Sequence, residues 1–265
     1  MTDIERKILE YERQYRSVDE ERPEPFDVEE AFDRFVQKLG GKKISDTIDN
    51  KSNMPKNADY LFSDANVIAE LKTVDGLYSG QESYKLLRQL FIDAGTLEQF
   101  FPYIIGRTEL PDEVGNRIRK RVRRGFEGRA RKARSQIKES ISEFGNMNTY
   151  GVILFALNQP PLFGQTFMLS TLAKMMDDIF SKDNYIDGIV YLNPNVPTRP
   201  VSDGMEYSGW FPLYMSEEPD HALSEFVNKL GSGWLNFVAN EQGTNNPILT
   251  LEDSTGLPFI LGRGL

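Results

Sequence analysis

Apolar residues along this chain recur first with a helical spacing, then by alternation, and then in continuous runs. Ile4, Ile8, Tyr11 and Tyr15 stand three or four apart among charges, and Arg22-Pro23-Glu24-Pro25 stops the pattern. A second helix is predicted from Asp27, with Val28, Phe32, Phe35, Val36 and Leu39 on one face and Gly40-Gly41 at its end. Three extended segments follow at 43–48, 58–62 and 66–74. The last two are joined by Ser63-Asp64-Ala65-Asn66, which reads as the turn of an antiparallel meander.

After Gly76, Ser79 and Glu82 are spaced as a capping box before Tyr84, Leu86, Leu87, Leu90 and Phe91, predicting another helix. Apolar or small residues at 118, 122, 126, 130, 133, 137, 141 and 144 predict one long helix, which Gly125 and Gly128 weaken locally. The runs at 150–157 and 186–192 read as strands covered on both faces, and the helix expected between them at 164–180 favours a parallel, right-handed crossover. Trp210 to Met215 contains Pro212, which suits an edge strand; 222–230 reads as a short helix, and beyond Gly231 the chain reads as an Asn-, Gly- and Pro-rich tail. The resulting partition is a leading helix and linker at 1–26, an α/β core at 27–215 with a helical insertion at about 77–145, and a C-terminal helix and tail at 216–265.

Composition narrows the chemistry. The 265 residues include 31 Lys+Arg and 40 Asp+Glu, a net charge of −9, which excludes a uniformly basic coat protein; 39% hydrophobic residues are enough for a buried core. With no cysteine there is no disulfide, thiolate metal site or thiol nucleophile, and with one histidine, His221, in a polar stretch, a histidine metal cluster is excluded too. No apolar run approaches the roughly 20 residues that cross a bilayer, and the first residues lack the order of a secretory signal, so a soluble cytoplasmic protein without a membrane partner is expected. Gly40-Gly41-Lys42-Lys43 only imitates a phosphate-binding loop and no dinucleotide fingerprint follows a strand, so no nucleotide cofactor is implied.

The informative piece is Asp59 followed by Glu70-Leu71-Lys72. Residues two apart on a strand share a face, so Glu70 and Lys72 emerge together while Leu71 points the other way. If the Asp59 strand pairs across the turn, two carboxylates and an ammonium converge. Adjacent carboxylates repel, and a hard divalent cation with oxygen ligands relieves this; a lysine beside it can hold the attacking water of a phosphodiester hydrolysis. The alternative is an ordinary surface ion pair, but Val67, Ile68, Ala69, Leu71 and Val74 make this an apolar strand in which two charges are costly.

These residues resemble the PD-(D/E)xK nuclease superfamily, with Asp59 as the first acid and Glu70-Leu71-Lys72 as the tripeptide; Asn57-Ala58 departs from the usual apolar residue and proline. The order helix, three strands, helix, strand, helix, strand is also similar to its restriction-endonuclease-like core, a central mixed sheet flanked by helices. Val28-Glu29 with Phe32, Phe35, Val36, Leu39 and Gly40 is similar to the helix that carries a further glutamate, which makes Glu29 the helix acid; an exposed first-turn acid is the alternative. The resemblance implies Mg²⁺, replaceable by Mn²⁺, held by Asp59, Glu70 and the carbonyl of Leu71, with Lys72 positioning water, Glu29 assisting, and products with 5′-phosphate and 3′-hydroxyl ends. Lys132 and Gln136 are candidates for a further helix position, but Ser140 stands where a Q-x-x-x-Y pattern has tyrosine.

Charge placement is the second signal. The segment 117–138 carries +10 net, leaving −19 for the rest. Arg117, Arg121, Arg124, Arg131, Lys132 and Arg134 are therefore expected to contact a nucleic-acid backbone, an acidic protein partner or another subunit being the alternatives. Trp210, Phe211 and Tyr214 could stack bases, although a core role on an edge strand explains them as well. The expectation is a Mg²⁺-dependent DNA endonuclease, of the kind found in restriction or phage defence, compatible with a homodimer or larger complex. Its alternative is a non-catalytic nucleic-acid-binding or protein-assembly module that keeps the fold.

Overall fold

The computed structural model describes residues 27–47, 57–74, 80–104, 109–146, 148–158, 165–194, 199–201, 204–206, 208–243 and 260–261. The leading helix expected before Asp27 lies outside them. Helix α1 (Val28–Leu39) starts where the Asp27 side chain accepts the Glu30 amide at 3.1 Å, and ends at Gly40, whose φ of 87° lies in the left-handed region. Its apolar stripe, Val28, Ala31, Phe32, Phe35 and Val36, is buried.

The first extended segment is shorter than expected. Strand β1 is only Lys42–Lys43, and Ile44–Asp46 winds into a 3-10 turn. Thr47 closes this turn through both its amide and its hydroxyl onto the Ile44 carbonyl, at 3.0 and 2.7 Å, while Ile44 is fully buried. Strand β2 is Tyr60–Phe62, and after the turn Ser63–Ala65 the left-handed Asn66 (φ 53°) leads into β3, Val67–Val74. The two are antiparallel, with Tyr60 opposite Ala69. Asp59 lies one residue before β2, so the same register carried one step further sets it across from Glu70.

Helices α2 (Gly80–Asp93) and α3 (Leu97–Ile104) precede α4 (Asp112–Phe144), which runs for 33 residues through both Gly125 and Gly128. Its face of Ile118, Val122, Phe126, Ala130, Ala133 and Ile137 is buried against the sheet. Strand β4 (Tyr150–Leu157) is parallel to β3, α5 (Gln165–Phe180) crosses over, and β5 (Gly188–Leu192) is parallel to β4. Two short strands, β6 (Arg199–Val201) and β7 (Gly204–Glu206), pair with each other, and β7 pairs with β9 (Ile260–Leu261), in a small separate sheet. Strand β8 (Trp210–Tyr214) lines up antiparallel on β5 as the expected edge strand, with Pro212 opposite Val190.

The main sheet is therefore six-stranded and mixed, in the order β1-β2-β3-β4-β5-β8, with apolar residues of both faces buried under helices. On one side Ile68 and Phe155 lie under α4 and α5, and the Phe126 ring of α4 stands edge to face on Phe155 at 5.0 Å. On the other, Ala69, Leu71 and Leu154 lie under α1 and α6, where Phe32 and Trp234 approach to 4.9 Å. Helix α6 (His221–Glu241) is far longer than the helix expected at 222–230 and replaces the first part of the expected tail. It passes through Gly231 because a Cβ there would stand 2.4 Å from the Trp210 ring. His221 is its first residue, with a 92% exposed side chain. Among the described residues no helix is long and apolar enough to cross a membrane.

Candidate active site

Strand β2 stops as β3 reaches Glu70, so among the described residues the rest of β3 has no strand on that side. The backbone N–H and C=O of one strand residue point to the same side, and Leu71 turns its pair toward the gap. Its amide donates to Asp59 Oδ2 at 2.9 Å, which brings the Asp59 carboxylate over the edge of β3. Glu70 and Lys72 share the α4-facing side with the buried Ile68 and Val74, whereas Leu71 packs on the α1 side. The alternation read from the sequence is thus present in the fold.

Glu70 has a fully buried side chain, and its Oε1 accepts from Lys72 Nζ, whose side chain is 16% exposed. Its other oxygen, Oε2, is buried without a hydrogen-bond donor. Burial, and then the neighbouring Asp59 carboxylate, push the Glu70 carboxyl up to about 8 against the pull of Lys72. Burial also raises Asp59, opposed by the Leu71 amide and the Lys72 ammonium. Two acids so placed cannot both ionise cheaply unless a cation joins them. A donor-less buried carboxylate oxygen beside a second carboxylate, with the Leu71 carbonyl on the same side of the strand as its amide, fits a hard divalent ion by the oxygen chemistry it offers.

Glu29 is brought to the same strand but not into the acid pair. It is exposed in the first turn of α1 and accepts the Thr73 hydroxyl at 2.8 Å. Among the described residues no group of three histidine, cysteine, aspartate or glutamate side chains could hold a metal, so the expected third carboxylate stays outside the Asp59–Glu70 pair. Asp33, unremarked in the sequence, accepts Tyr60 Oη at 2.8 Å and Lys43 Nζ at 2.5 Å and so holds β1 and β2 on α1 beside the site.

Helix α4 flanks the site on the other face through residues at helical spacing. Arg129 Nε donates to the Thr73 carbonyl at 3.1 Å, Gln136 Nε2 to the Asn57 carbonyl at 2.9 Å, and the Ala58 amide to Ser140 Oγ at 2.7 Å. Gln136 thus meets the segment that leads through Asp59 into β2, and Ser140, standing where the Q-x-x-x-Y pattern has tyrosine, ties the residue next to Asp59.

The basic run of α4 is less free than its sequence suggests. Arg117 pairs with Glu113 at 2.7 Å, Arg131 with Glu127 at 2.8 Å, Arg134 with Asp183, and Arg123 with Glu127 and Asp178. Asp178 and Asp183 come from α5 and the turn after it, so these contacts fasten α4 to its neighbour. Arg117, Arg131 and Arg134, expected to contact a nucleic-acid backbone, thus each already meet a carboxylate. Arg121, Arg124 and Lys132 are exposed and, among the described residues, form no ion pair. Of the aromatics considered for stacking, Phe211 lies on Tyr191 at 5.8 Å and Trp210 faces Gly231, both core contacts.

Comparison with protein-family models, curated proteins and solved structures finds no match to this chain.

Proposed function

We propose that this chain is a metal-dependent phosphodiesterase, a nuclease of the PD-(D/E)xK type with a restriction-endonuclease-like core and DNA as its favoured substrate. The observation that carries this reading is the meeting of Asp59, Glu70 and Lys72 at the point where β2 ends and the edge of β3 opens. The sequence of a three-strand meander followed by a helical crossover into parallel β4 and β5 supports the fold assignment.

In this reading Asp59, Glu70 and the Leu71 carbonyl hold Mg²⁺ or Mn²⁺. Such an ion supplies charge neutralisation at a phosphoryl oxygen and a more acidic water. The Leu71 amide fixes which Asp59 oxygen remains available, because Oδ2 is already engaged. Glu70 must be ionised to act, so binding displaces the proton that burial favours. Lys72 is anchored on Glu70 Oε1 and keeps further N–H groups, with which it can orient a water and offset charge developing on the phosphate. Arg121, Arg124 and Lys132 offer an exposed cationic stripe on the helix that borders the site.

The test is cleavage of supercoiled plasmid and of single-stranded DNA with Mg²⁺ or Mn²⁺, comparing wild type with Lys72→Ala and Asp59→Asn. Each substitution is expected to lower the rate by ~10²-fold or more; equal rates for wild type and Lys72→Ala exclude the mechanism. The second reading, a non-catalytic nucleic-acid-binding or assembly module with the same fold, draws on the position of Glu29 outside the acid pair. Salt-sensitive DNA binding that is indifferent to EDTA, with no cleavage under either metal, would favour it.

A further inference from the structure

One cation of α4 stands apart from the rest. Arg123, Arg131 and Arg134 each meet a carboxylate, whereas Arg129, among the described residues, forms no ion pair and spends two of its N–H groups on main-chain carbonyls. Nη1 donates to the Gly125 carbonyl at 2.7 Å, one turn back on its own helix, and Nε donates to the Thr73 carbonyl at 3.1 Å. A guanidinium has five such donors, so three are left.

The Thr73 anchor fixes where the charge is. Leu71 and Thr73 are two apart on β3, so their backbone groups point to the same side, the side that β2 has vacated. Leu71 uses that side to hold Asp59, and Thr73 uses it to hold Arg129, roughly 7 Å further along the strand. The guanidinium and the acid pair therefore border one stretch of strand edge that no described strand covers, and the positive group is held by neutral partners that do not cancel its charge. Arginine suits this post because its planar fork can be fixed by some donors while presenting others.

We propose that Arg129 is a phosphate-binding residue of this site, gripping a non-bridging oxygen of the nucleic-acid backbone next to the Asp59–Glu70 pair. This rests on the nuclease reading for the identity of the substrate, but contact with a phosphate does not require that cleavage occur. It also separates Arg129 from the paired arginines of the helix, whose charges are already met by carboxylates.

The test is binding of a short fluorescein-labelled DNA duplex in Ca²⁺ across a salt series, for wild type, Arg129→Gln and Arg129→Lys. Removing one phosphate contact reduces the slope of log K against log salt by about 0.9. Arg129→Gln is expected to lose that increment and Arg129→Lys to retain it; a wild-type slope in Arg129→Gln overturns the proposal. Should Arg129→Gln fail to fold, phenylglyoxal modification of the wild-type protein decides instead: DNA is expected to protect Arg129, and equal modification with and without DNA overturns the assignment. A duplex bound with the Arg129-dependent slope but never cut in Mg²⁺ or Mn²⁺ removes the nuclease reading and leaves this contact standing. Cleavage by wild type with an unaltered slope in Arg129→Gln does the reverse.

Discussion

The hydroxyl of Ser140 accepts the main-chain amide of Ala58 at 2.7 Å, with both groups buried, 82 residues apart in the chain. Through this one bond the long helix fixes the backbone immediately before Asp59. Ser140→Ala leaves a buried N–H without an acceptor, which costs about 1–3 kcal/mol. Urea unfolding should show a lower midpoint at unchanged slope; an unchanged midpoint would mean the amide finds another acceptor.

The acid pair sets a pH dependence whose direction follows from burial. Glu70 is raised in the folded protein from 4.5 to about 8, and Asp59 is raised too. A raised carboxyl contributes stability that is fully present below its unfolded value and is lost as pH rises through its folded value. Without divalent metal, melting temperature should therefore fall between about pH 5 and pH 8, and Glu70→Gln should flatten the decline. Mg²⁺ should restore stability most at the alkaline end, where both acids are ready to bind it. Identical melting curves for wild type and Glu70→Gln in EDTA across this range would count against the shared burial of the pair.

Two helix glycines should respond in opposite directions to alanine. Around Gly128, exposed in the middle of α4, a Cβ would meet nothing within 4 Å, so Gly128→Ala should gain about 0.5–1 kcal/mol from helix propensity. At Gly231 a Cβ would stand 2.4 to 2.7 Å from three atoms of the Trp210 ring, and Gly231→Ala should lose about 1–3 kcal/mol. Thermal melts of the two variants side by side read the contrast directly.

The charges of α4 divide into tethers and free groups. Arg134 pairs with Asp183, whose side chain is only 5% exposed, so Arg134→Gln should lower stability while leaving the salt slope of DNA binding intact. The double substitution Arg121→Gln with Arg124→Gln should do the opposite, reducing the slope by up to about 1.8 with little change in melting temperature. If all three arginines move the slope equally, the ion pairs of the free protein open on binding.

Period-two alternation made Glu70, Leu71 and Lys72 legible, because an apolar strand leaves few ways to place two charges on one face. The turn after β2 was legible as well, since Asp59 needed only an antiparallel partner. The length of α6 was not. Gly231 and Gly233 read locally as a break, and only the nearness of Trp210 and of Phe35, whose ring would lie 3.2 Å from a Cβ at Gly233, accounts for a helix that needs small residues there. The strand expected at 43–48 ends after Lys43, because the Thr47 hydroxyl closes a turn on Ile44; Ile48 lies outside the described residues. The charge run was visible, yet its partners Asp178 and Asp183 are distant in sequence and gave no local sign of pairing. Arg129 was invisible as a special case because its partners are carbonyls, which every residue possesses.

Helix α4 is about 50 Å from end to end. Arg121 and Arg124 lie toward its beginning, and Arg129, Gln136 and Ser140 fasten its later turns to the strands that bear the acids. In the nuclease reading, a polyanion bound to the early turns would load a beam whose far half is bolted to the acid pair. Grip and chemistry would then be mechanically one component, and weakening the Gln136 and Ser140 bolts should blunt the cut before it loosens the hold.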